Sequence, residues 1–279
     1  MKRADLHAHS QASDGLFPPL EVARRAYGAG VGALALTDHD TLAGLDEARR
    51  EAERLGLAFV PGCEISVDVA GKDIHVLAYF ITVDDPRLRA LLAGAERMRD
   101  ERMRGTLERL ARAGVRLDEA AVRREAAASR AIGRLHVARA LVARGHVGTL
   151  AEAFQRYLGN GACACVPKQT PSAGETLRAI WDSGAVPVLA HPGLYGLEEP
   201  ERYFADWDLG GIEACHPGHD RAAEERFARW AGARGVVVTG GSDWHGEERP
   251  AGYLGCRTVA TSAIEALRSR RRPAPRVTP

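Results

Sequence analysis

The 279-residue sequence has no apolar run that approaches the roughly 18 residues needed to cross a bilayer. The N-terminal stretch MKRADLHAH also lacks an apolar segment followed by a small-residue cleavage site, so we expect a cytoplasmic protein. The net charge is also small, because 38 basic and 37 acidic side chains leave a formal charge of +1. This balance creates no overall field that would attract membranes or long nucleic acids. An anionic substrate must therefore be held by local charges.

Cysteines are few, and none of them forms a CxxC pair. Their number, five, is odd, which favours reduced thiols over a disulfide framework. The apolar fraction of 45% is that of an ordinary globular protein with a sizeable core. Nothing in the sequence points to an obligate protein partner.

Short apolar runs alternate with amphipathic stretches, a pattern typical of parallel βα units. The predicted strands are 4–8, 33–37, 57–62, 74–80, 186–190, 211–215 and 236–240, and the predicted helices between them are about 19–29, 41–55, 173–183 and 220–233. Seven strands separated by helices favour a barrel-like parallel sheet over an open one.

A long segment without strand patterns separates the fourth and fifth strands. It is rich in Ala, Arg, Leu and Glu, and DPRLRALLAGAERMRDERMRGTLERLARAG predicts a long helix. We therefore expect a barrel domain formed by 1–85 and 170–279, with a helical insertion at 86–169.

Histidines and carboxylates recur at the ends of the predicted strands. His7 and His9 are two residues apart, so they project on the same face of an extended chain. Active sites of parallel barrels lie at the C-terminal ends of their strands. The candidate metal ligands at these ends are His7, His9, Asp14, His39, Glu64, His75, His191, Asp243 and His245.

Nine ligands exceed the three protein ligands of an ordinary catalytic zinc site, so we expect two or three divalent ions that share a carboxylate. Mixed imidazole and carboxylate ligation suits manganese, which we expect, or zinc or iron. Ions about 3.5–4 Å apart would activate a bridging water and stabilise both oxygens of a displacement at phosphorus. The predicted chemistry is hydrolysis.

The motifs DLHAHSQASDG, ALTDHDT, GCEIS, IHVLAYF, LAHP and GGSDWHG, in this order, resemble those of the PHP family, named for polymerase and histidinol phosphatase. The resemblance implies a distorted (β/α)7 barrel with a trinuclear metal centre that hydrolyses phosphoesters. It makes His7, His9, Glu64 and Asp243 the catalytic set that holds one ion. It places Glu64, His75 and His191 on a second ion, and Asp14, His39 and His245 on a third.

Within the insertion, AIGRLHVARALVARG and AFQRYLGNGACACVPK resemble the branch of 3′,5′-nucleoside bisphosphate phosphatases and short-RNA 5′→3′ exonucleases. This resemblance implies that Arg134, Arg139 and Lys168 bind substrate phosphates, with His136 beside them. Two histidines of EACHPGH, His216 and His219, follow the sixth strand at the same end of the barrel. They are candidates to support the site or to protonate the leaving group.

We therefore expect a metal-dependent phosphatase that removes the 3′-phosphate of nucleoside 3′,5′-bisphosphates such as pAp. The first alternative is a 5′→3′ exonuclease acting on short RNA. Histidinol phosphatase activity and a metal-dependent binding protein without catalysis are further alternatives. The expected partner is a nucleotide or a short oligonucleotide.

Overall fold

The computed structural model describes residues 2–69, 71–127, 129, 131–246 and 252–275. Within these residues, eight strands form one sheet in the order β7-β6-β5-β4-β3-β2-β1-β8. The strands are Arg3–Asp5 (β1), Ala33–Leu36 (β2), Ala58–Val69 (β3), Lys72–Tyr79 (β4), Val186–Leu189 (β5), Gly211–Cys215 (β6), Val237–Gly240 (β7) and Val259–Ala260 (β8). The amide of Leu6 donates to the carbonyl of Gly240 over 3.1 Å, so β1 approaches β7 and the barrel nearly closes. The predicted fold class is confirmed.

The central strands form where the sequence is continuously apolar. ALAL in β2 and VPVL in β5 are buried at all four positions, as expected for strands covered on both faces. Every predicted strand has a counterpart, and the two largest differences in extent occur in β1 and β3. The short β8 was not predicted; it pairs antiparallel with β1.

The prediction that the sheet is parallel is wrong on both sides of β4. β4 pairs antiparallel with β3 and with β5, because β3 and β4 form a hairpin with no helix between them. His75 therefore lies inside β4 and not at its C-terminal tip. Since β4 runs in the opposite direction, its N-terminal half still lies at the edge of the barrel where the parallel strands end.

Helices cover the outside of the barrel. They are Pro19–Gly28 (α1), Leu45–Leu55 (α2), Ala173–Asp182 (α7), Pro200–Tyr203 (α8), Arg221–Arg234 (α9) and Ser262–Arg268 (α10). Ser172 and Asp220 accept backbone N–H bonds at the starts of α7 and α9, which explains why these helices begin there. The second helix begins at Leu45, four residues later than predicted.

The segment between β4 and β5 is helical, with Pro86–Arg112 (α3), Glu119–Ala126 (α4), Arg134–Ala143 (α5) and Leu150–Ala153 (α6), followed by a π-helical turn at Phe154–Leu158. Its side chains form a hydrophobic cluster from Met103 to Ala164 that is separate from the barrel clusters. Leu88 and Leu92, at the start of α3, pack into the barrel core instead. The separate cluster supports our proposal that 86–169 is an insertion domain on a barrel of 1–85 and 170–279.

In the part of the chain that the structure describes, no helix combines the length and the apolar character required to cross a membrane.

Candidate metal centre and substrate cavity

The first two histidines of the site are held side by side after β1. The chain stays extended beyond the strand, because Ala8 forms a parallel bridge with Trp244. His7 and His9 flank Ala8 and are fully buried, with their side chains on one face. This pairing brings the end of β1 next to the loop after β7, which carries Asp243.

The structure brings four side chains together at this point. Nε2 of His7 lies 3.3 Å from Oε2 of Glu64 and 3.3 Å from Oδ1 of Asp243. Nε2 of His9 lies 3.2 Å and 3.1 Å from the same two oxygens. One ligand atom from each of the four residues falls within 4.8 Å of all the others, which is a geometry that one cation can fill.

Glu64 extends the cluster in a second direction. Its Oε1 lies 2.8 Å from Nδ1 of His75 and 3.0 Å from Nε2 of His191. Its Oε2 lies 3.1 Å from Nδ1 of His39. His39, Glu64 and His75 form a second compact group, and His191, just after β5, contacts Glu64 without joining that group. Glu64 thus occupies a bridging position.

A third group contains His9, Asp14, His39 and His245. Oδ1 of Asp14 lies 3.2 Å from Nε2 of His245 and 4.0 Å from Nε2 of His39. His9 belongs to both the first and the third group, and His39 belongs to both the second and the third. The nine predicted ligands therefore form one continuous cluster.

The donor atoms of this cluster fit bound cations. Buried polar atoms are normally hydrogen-bonded. Many here lie close to a carboxylate oxygen or a ring nitrogen but have no partner with hydrogen-bond geometry among the described residues. These atoms are Nε2 of His7, both ring nitrogens of His9, Nδ1 of His39, Oε2 of Glu64, both ring nitrogens of His75 and Nε2 of His245. A mixture of imidazole nitrogens and carboxylate oxygens suits Mn²⁺, Zn²⁺ or Fe²⁺.

The imidazole rings and carboxylates of the cluster shift one another's pKa values. Burial by itself would raise the pKa of Glu64, but the rings of His39, His75 and His7 outweigh burial and hold this pKa well below its usual range. Burial would lower the pKa of His9, yet the carboxylates of Asp243 and Glu64 raise it to about 9. The carboxylates therefore remain ionised, as metal ligands must be.

A cavity of about 150 Å³ opens directly beside the cluster. Its barrel side includes Asp14, His39 and His75. The segment between β4 and β5 supplies four cationic lining side chains, two of them from α3: Arg99, Arg102, Arg134 and Lys168. The cavity thus lies between candidate metal ligands and a group of positive charges.

Two of the four cations are already neutralised. Nζ of Lys168 donates to both carboxylate oxygens of Asp73, over 2.6 Å and 2.7 Å, and to Oγ of Ser66 over 2.8 Å. Nε of Arg99 donates to Asp40 over 2.7 Å, and its Nη2 bonds the same oxygen. Both pairs join barrel residues to residues outside the barrel strands.

The other two cations keep their charge uncompensated. Arg102 donates to the carbonyl of Val166, and Arg134 donates to the carbonyl of Leu158 and to Oδ1 of Asn160. None of the described carboxylates forms an ion pair with either guanidinium. Burial, together with the nearby charges of Arg134 and Arg99, lowers the pKa of Arg102 to about 10. Two guanidinium groups without an ion-pair partner among the described residues have the chemistry to bind an anion.

The remaining predicted substrate residues lie in different surroundings. His136 is buried, its Nδ1 accepts the amide of Gly133 over 3.1 Å, and it caps the start of α5. Burial lowers the pKa of His136 to about 4, and the charge of the neighbouring Arg139 on α5 adds to this effect. His136 is therefore a neutral helix cap, not a cation for a phosphate.

The two histidines after β6 differ from each other. Nε2 of His216 lies 3.4 Å from Oδ2 of Asp243, so this ring borders the candidate metal centre. His219 donates through Nδ1 to the carbonyl of Ala214 over 2.8 Å and accepts through Nε2 from the amide of Gly193 over 3.0 Å. Both nitrogens of His219 are bonded to the backbone, which disagrees with the prediction that it protonates a leaving group.

Several residues that matter to the site were missed in the sequence. Glu213 bonds Nδ1 of His7 from inside β6, and Asp38 accepts bonds from Ser10 and Ser13 and so holds the loop that leads to Asp14. An acidic residue within the apolar run GIEAC was the available signal for Glu213. The sequence contains no comparable signal for Arg102, because it is one of many arginines on a long helix.

Comparisons with known proteins agree with this geometry. The PHP domain model matches residues 5–152. The chain is 36% identical over 249 residues to a 5′-3′ exoribonuclease of Haemophilus influenzae, covering 88% of this chain and 90% of that protein. It is 35% identical over 257 residues to a 3′,5′-nucleoside bisphosphate phosphatase of Chromobacterium violaceum, covering 88% of each chain.

A phosphoribosyl 1,2-cyclic phosphate 1,2-diphosphodiesterase of Eggerthella lenta is 34% identical over 245 residues, covering 87% of this chain and 94% of that protein. The fold also matches a crystal structure from Bifidobacterium adolescentis described as a metal-dependent phosphoesterase. That match has a TM-score of 0.86 and 30% identity, and it covers 97% of this chain and 96% of the other. The chain therefore belongs to the PHP domain family and is a metal-dependent phosphoester hydrolase.

Proposed function

We propose that the protein removes the 3′-phosphate from nucleoside 3′,5′-bisphosphates such as pAp and leaves a 5′-nucleotide. The observation that carries this proposal is the position of the 150 Å³ cavity between the candidate metal ligands and the uncompensated pair Arg102 and Arg134. A nucleoside 3′,5′-bisphosphate carries two phosphates on a short spacer, so one phosphate can lie at the candidate metal ligands while the other lies at the two arginines. The similarity to the Chromobacterium violaceum phosphatase supports the same substrate class.

The proposed roles follow from the contacts. His7, His9, Glu64 and Asp243 hold one divalent ion, and the remaining ligands hold one or two more: Asp14, His39, His75, His191 and His245. When bound, these ions would supply Lewis-acid stabilisation of the phosphoryl oxygens and an activated water. Arg102 and Arg134 bind the phosphate that is not cleaved, and so fix the orientation of the substrate. Manganese is our proposed ion.

A second activity, 5′→3′ cleavage of short RNA, is favoured by a further cavity. A space of about 540 Å³ adjoins the small one and shares Asp73, Arg102, Arg134 and Lys168 with it. The small cavity is below the ~300–1,000 Å³ of typical ligand pockets, whereas the larger one lies within that range. It has room for the part of a nucleotide that the inner cavity cannot hold. The similarity to the Haemophilus influenzae exoribonuclease supports this alternative.

The experiment that tests both activities is a comparison of substrates with added Mn²⁺, before and after chelation. The panel contains pAp, AMP, a short 5′-phosphorylated RNA, histidinol phosphate and phosphoribosyl 1,2-cyclic phosphate. We expect phosphate release from pAp, release of 5′-nucleotides from the RNA, and loss of both after chelation. Hydrolysis of histidinol phosphate or of the cyclic phosphate alone would contradict the nucleotide assignment.

A further inference from the structure

A buried carboxylate outside the nine-residue cluster contacts two of the candidate ligands. Glu213 lies in the middle of β6 and is fully buried. Nδ1 of His7 lies 3.0 Å from its Oε1 and 3.1 Å from its Oε2. The backbone amide of His191 donates to Oε2 over 3.0 Å. One carboxylate therefore links β1, β6 and the end of β5.

The contact with His7 determines which nitrogen of that ring faces the cluster. A ring that donates from Nδ1 to Glu213 presents Nε2 to the oxygens of Glu64 and Asp243, each 3.3 Å away. A neutral imidazole in this tautomer carries its lone pair on Nε2, which is the form that binds a metal ion. The ring of His7 is thus held between Glu213 on Nδ1 and the carboxylates of Glu64 and Asp243 on Nε2.

The contact with His191 holds an unusual backbone. His191 has φ +23°, a conformation that residues other than glycine seldom adopt, and a short 3₁₀ turn begins immediately after it. This conformation directs Nε2 of His191 to Oε1 of Glu64, 3.0 Å away. The hydrogen bond from the backbone amide of His191 to Glu213 stabilises this positive-φ conformation directly at His191.

We propose that Glu213 is a positioning residue that orients His7 for one ion and His191 for the neighbouring ion. Glu64 lies between these two rings and Glu213 lies behind them, so the two carboxylates together define the spacing of both ligands. The proposal concerns metal binding and does not depend on which nucleotide is hydrolysed.

The test is Glu213→Gln in the full chain, which preserves size and removes charge. One carboxylate oxygen becomes an NH₂ group, which faces Nδ1 of His7 if it takes the place of Oε1, and faces both Nδ1 of His7 and the amide of His191 if it takes the place of Oε2. We expect Zn²⁺ affinity, measured by calorimetric titration of metal-free protein, to fall about 10–100-fold. In the zinc-loaded protein, ¹⁵N NMR should show a protected Nδ1–H of His7 in the wild type and its loss in the variant.

Ile212→Ala is the matched control, because Ile212 precedes Glu213 in the same strand and is equally buried but packs in the apolar core. It should lower thermal stability while changing zinc affinity less than twofold. If Glu213→Gln does not fold, Glu213→Asp, which keeps the charge and retracts the carboxylate, should show an intermediate loss of affinity.

Zinc affinity within twofold of the wild type, with the Nδ1–H signal retained, in a folded Glu213 variant would overturn the proposal. An equal loss in Ile212→Ala would overturn it as well, since the effect would then be one of general stability. Because neither readout involves a substrate, a failure of the proposed nucleotide activity remains distinguishable from a failure here.

Discussion

Asp243 combines backbone strain with a place among the candidate metal ligands. Its φ is +48°, in the left-handed region, and its Oδ1 faces both His7 and His9. Strained backbone of this kind often occurs at functional sites, where the surrounding structure holds it in place. Asparagine tolerates the same conformation, so Asp243→Asn tests the charge separately from the geometry.

Asp243→Asn should keep the fold and lower the turnover of pAp by about 10²–10³-fold or more, because a ligand charge that stabilises the transition state is lost. Steady-state rates, with metal content measured on the same samples, check this expectation. His146→Ala is the control, since His146 bonds a carbonyl of the insertion far from the cluster. A variant with wild-type turnover would remove Asp243 from the catalytic set.

Arg102 and Lys168 differ in the charge that each has available for a substrate. Arg102→Met should raise KM for pAp by about 10–100-fold, the effect of losing a charged hydrogen bond, and raise KM for AMP less. Lys168→Met should have the smaller effect on pAp, because Asp73 already offsets that charge. Arg104→Met, on the exposed side of the same helix and paired with Glu119, serves as the control. Equal changes for both substrates would contradict the role of Arg102.

At the scale of the element, the first turn of helix α5 is capped by a histidine, His136, that accepts a hydrogen bond in its neutral form. Nδ1 of His136 accepts the amide of Gly133, and the ring is buried. The pKa of His136 is lowered from 6.5 to about 4, so the folded chain resists protonation where the unfolded chain accepts it. The stability that this cap provides is therefore complete above about pH 6.5 and is lost as the pH falls toward 4.

This linkage predicts that the wild type loses roughly 1–2 kcal/mol more unfolding free energy than His136→Gln between pH 7 and pH 5. Urea unfolding of metal-free protein at several pH values measures the difference. His146→Gln, just beyond the C-terminal end of α5, is the control and should follow the wild type. A stability difference that does not change with pH would show that His136 titrates normally in the fold.

At the scale of the whole molecule, closure of the barrel assembles the site. The loop after β7 must lie directly against the chain after β1, and Gly241 makes this approach possible. A Cβ at Gly241 would lie 2.3 Å from the backbone nitrogen of His7 and 2.4 Å from its Cβ, so no side chain fits.

Gly241→Ala should therefore separate β1 from β7, lower the unfolding free energy by about 1–3 kcal/mol or more, and weaken metal binding. Thermal unfolding and calorimetric titration with Zn²⁺ measure the two effects. Gly232→Ala is the matched control: it lies in α9 with open space around it and should stabilise the protein by up to about 1 kcal/mol. If both variants behave alike, the closure argument fails.

The sequence by itself determined the order of strands and helices and the identity of the candidate ligands. His7 and His9 could be predicted as a pair of ligands because a spacing of two residues places both rings on one face of an extended chain. Apart from His75, which lies on the antiparallel β4, the other ligands could be predicted because parallel strands deliver their C-terminal ends to one edge, whatever their separation along the chain.

Only the tertiary structure decided how these groups meet. It showed the reversed direction of β4, the support from Glu213 and the distinction between cations with and without an ion-pair partner among the described carboxylates. The physical reason is that periodicity reports which face a side chain occupies, whereas ion pairing and charge balance depend on which distant side chain lies opposite. Arg102 is one arginine among many on α3 until the fold places it beside Arg134, where it bonds the carbonyl of Val166 and forms no ion pair with a described carboxylate.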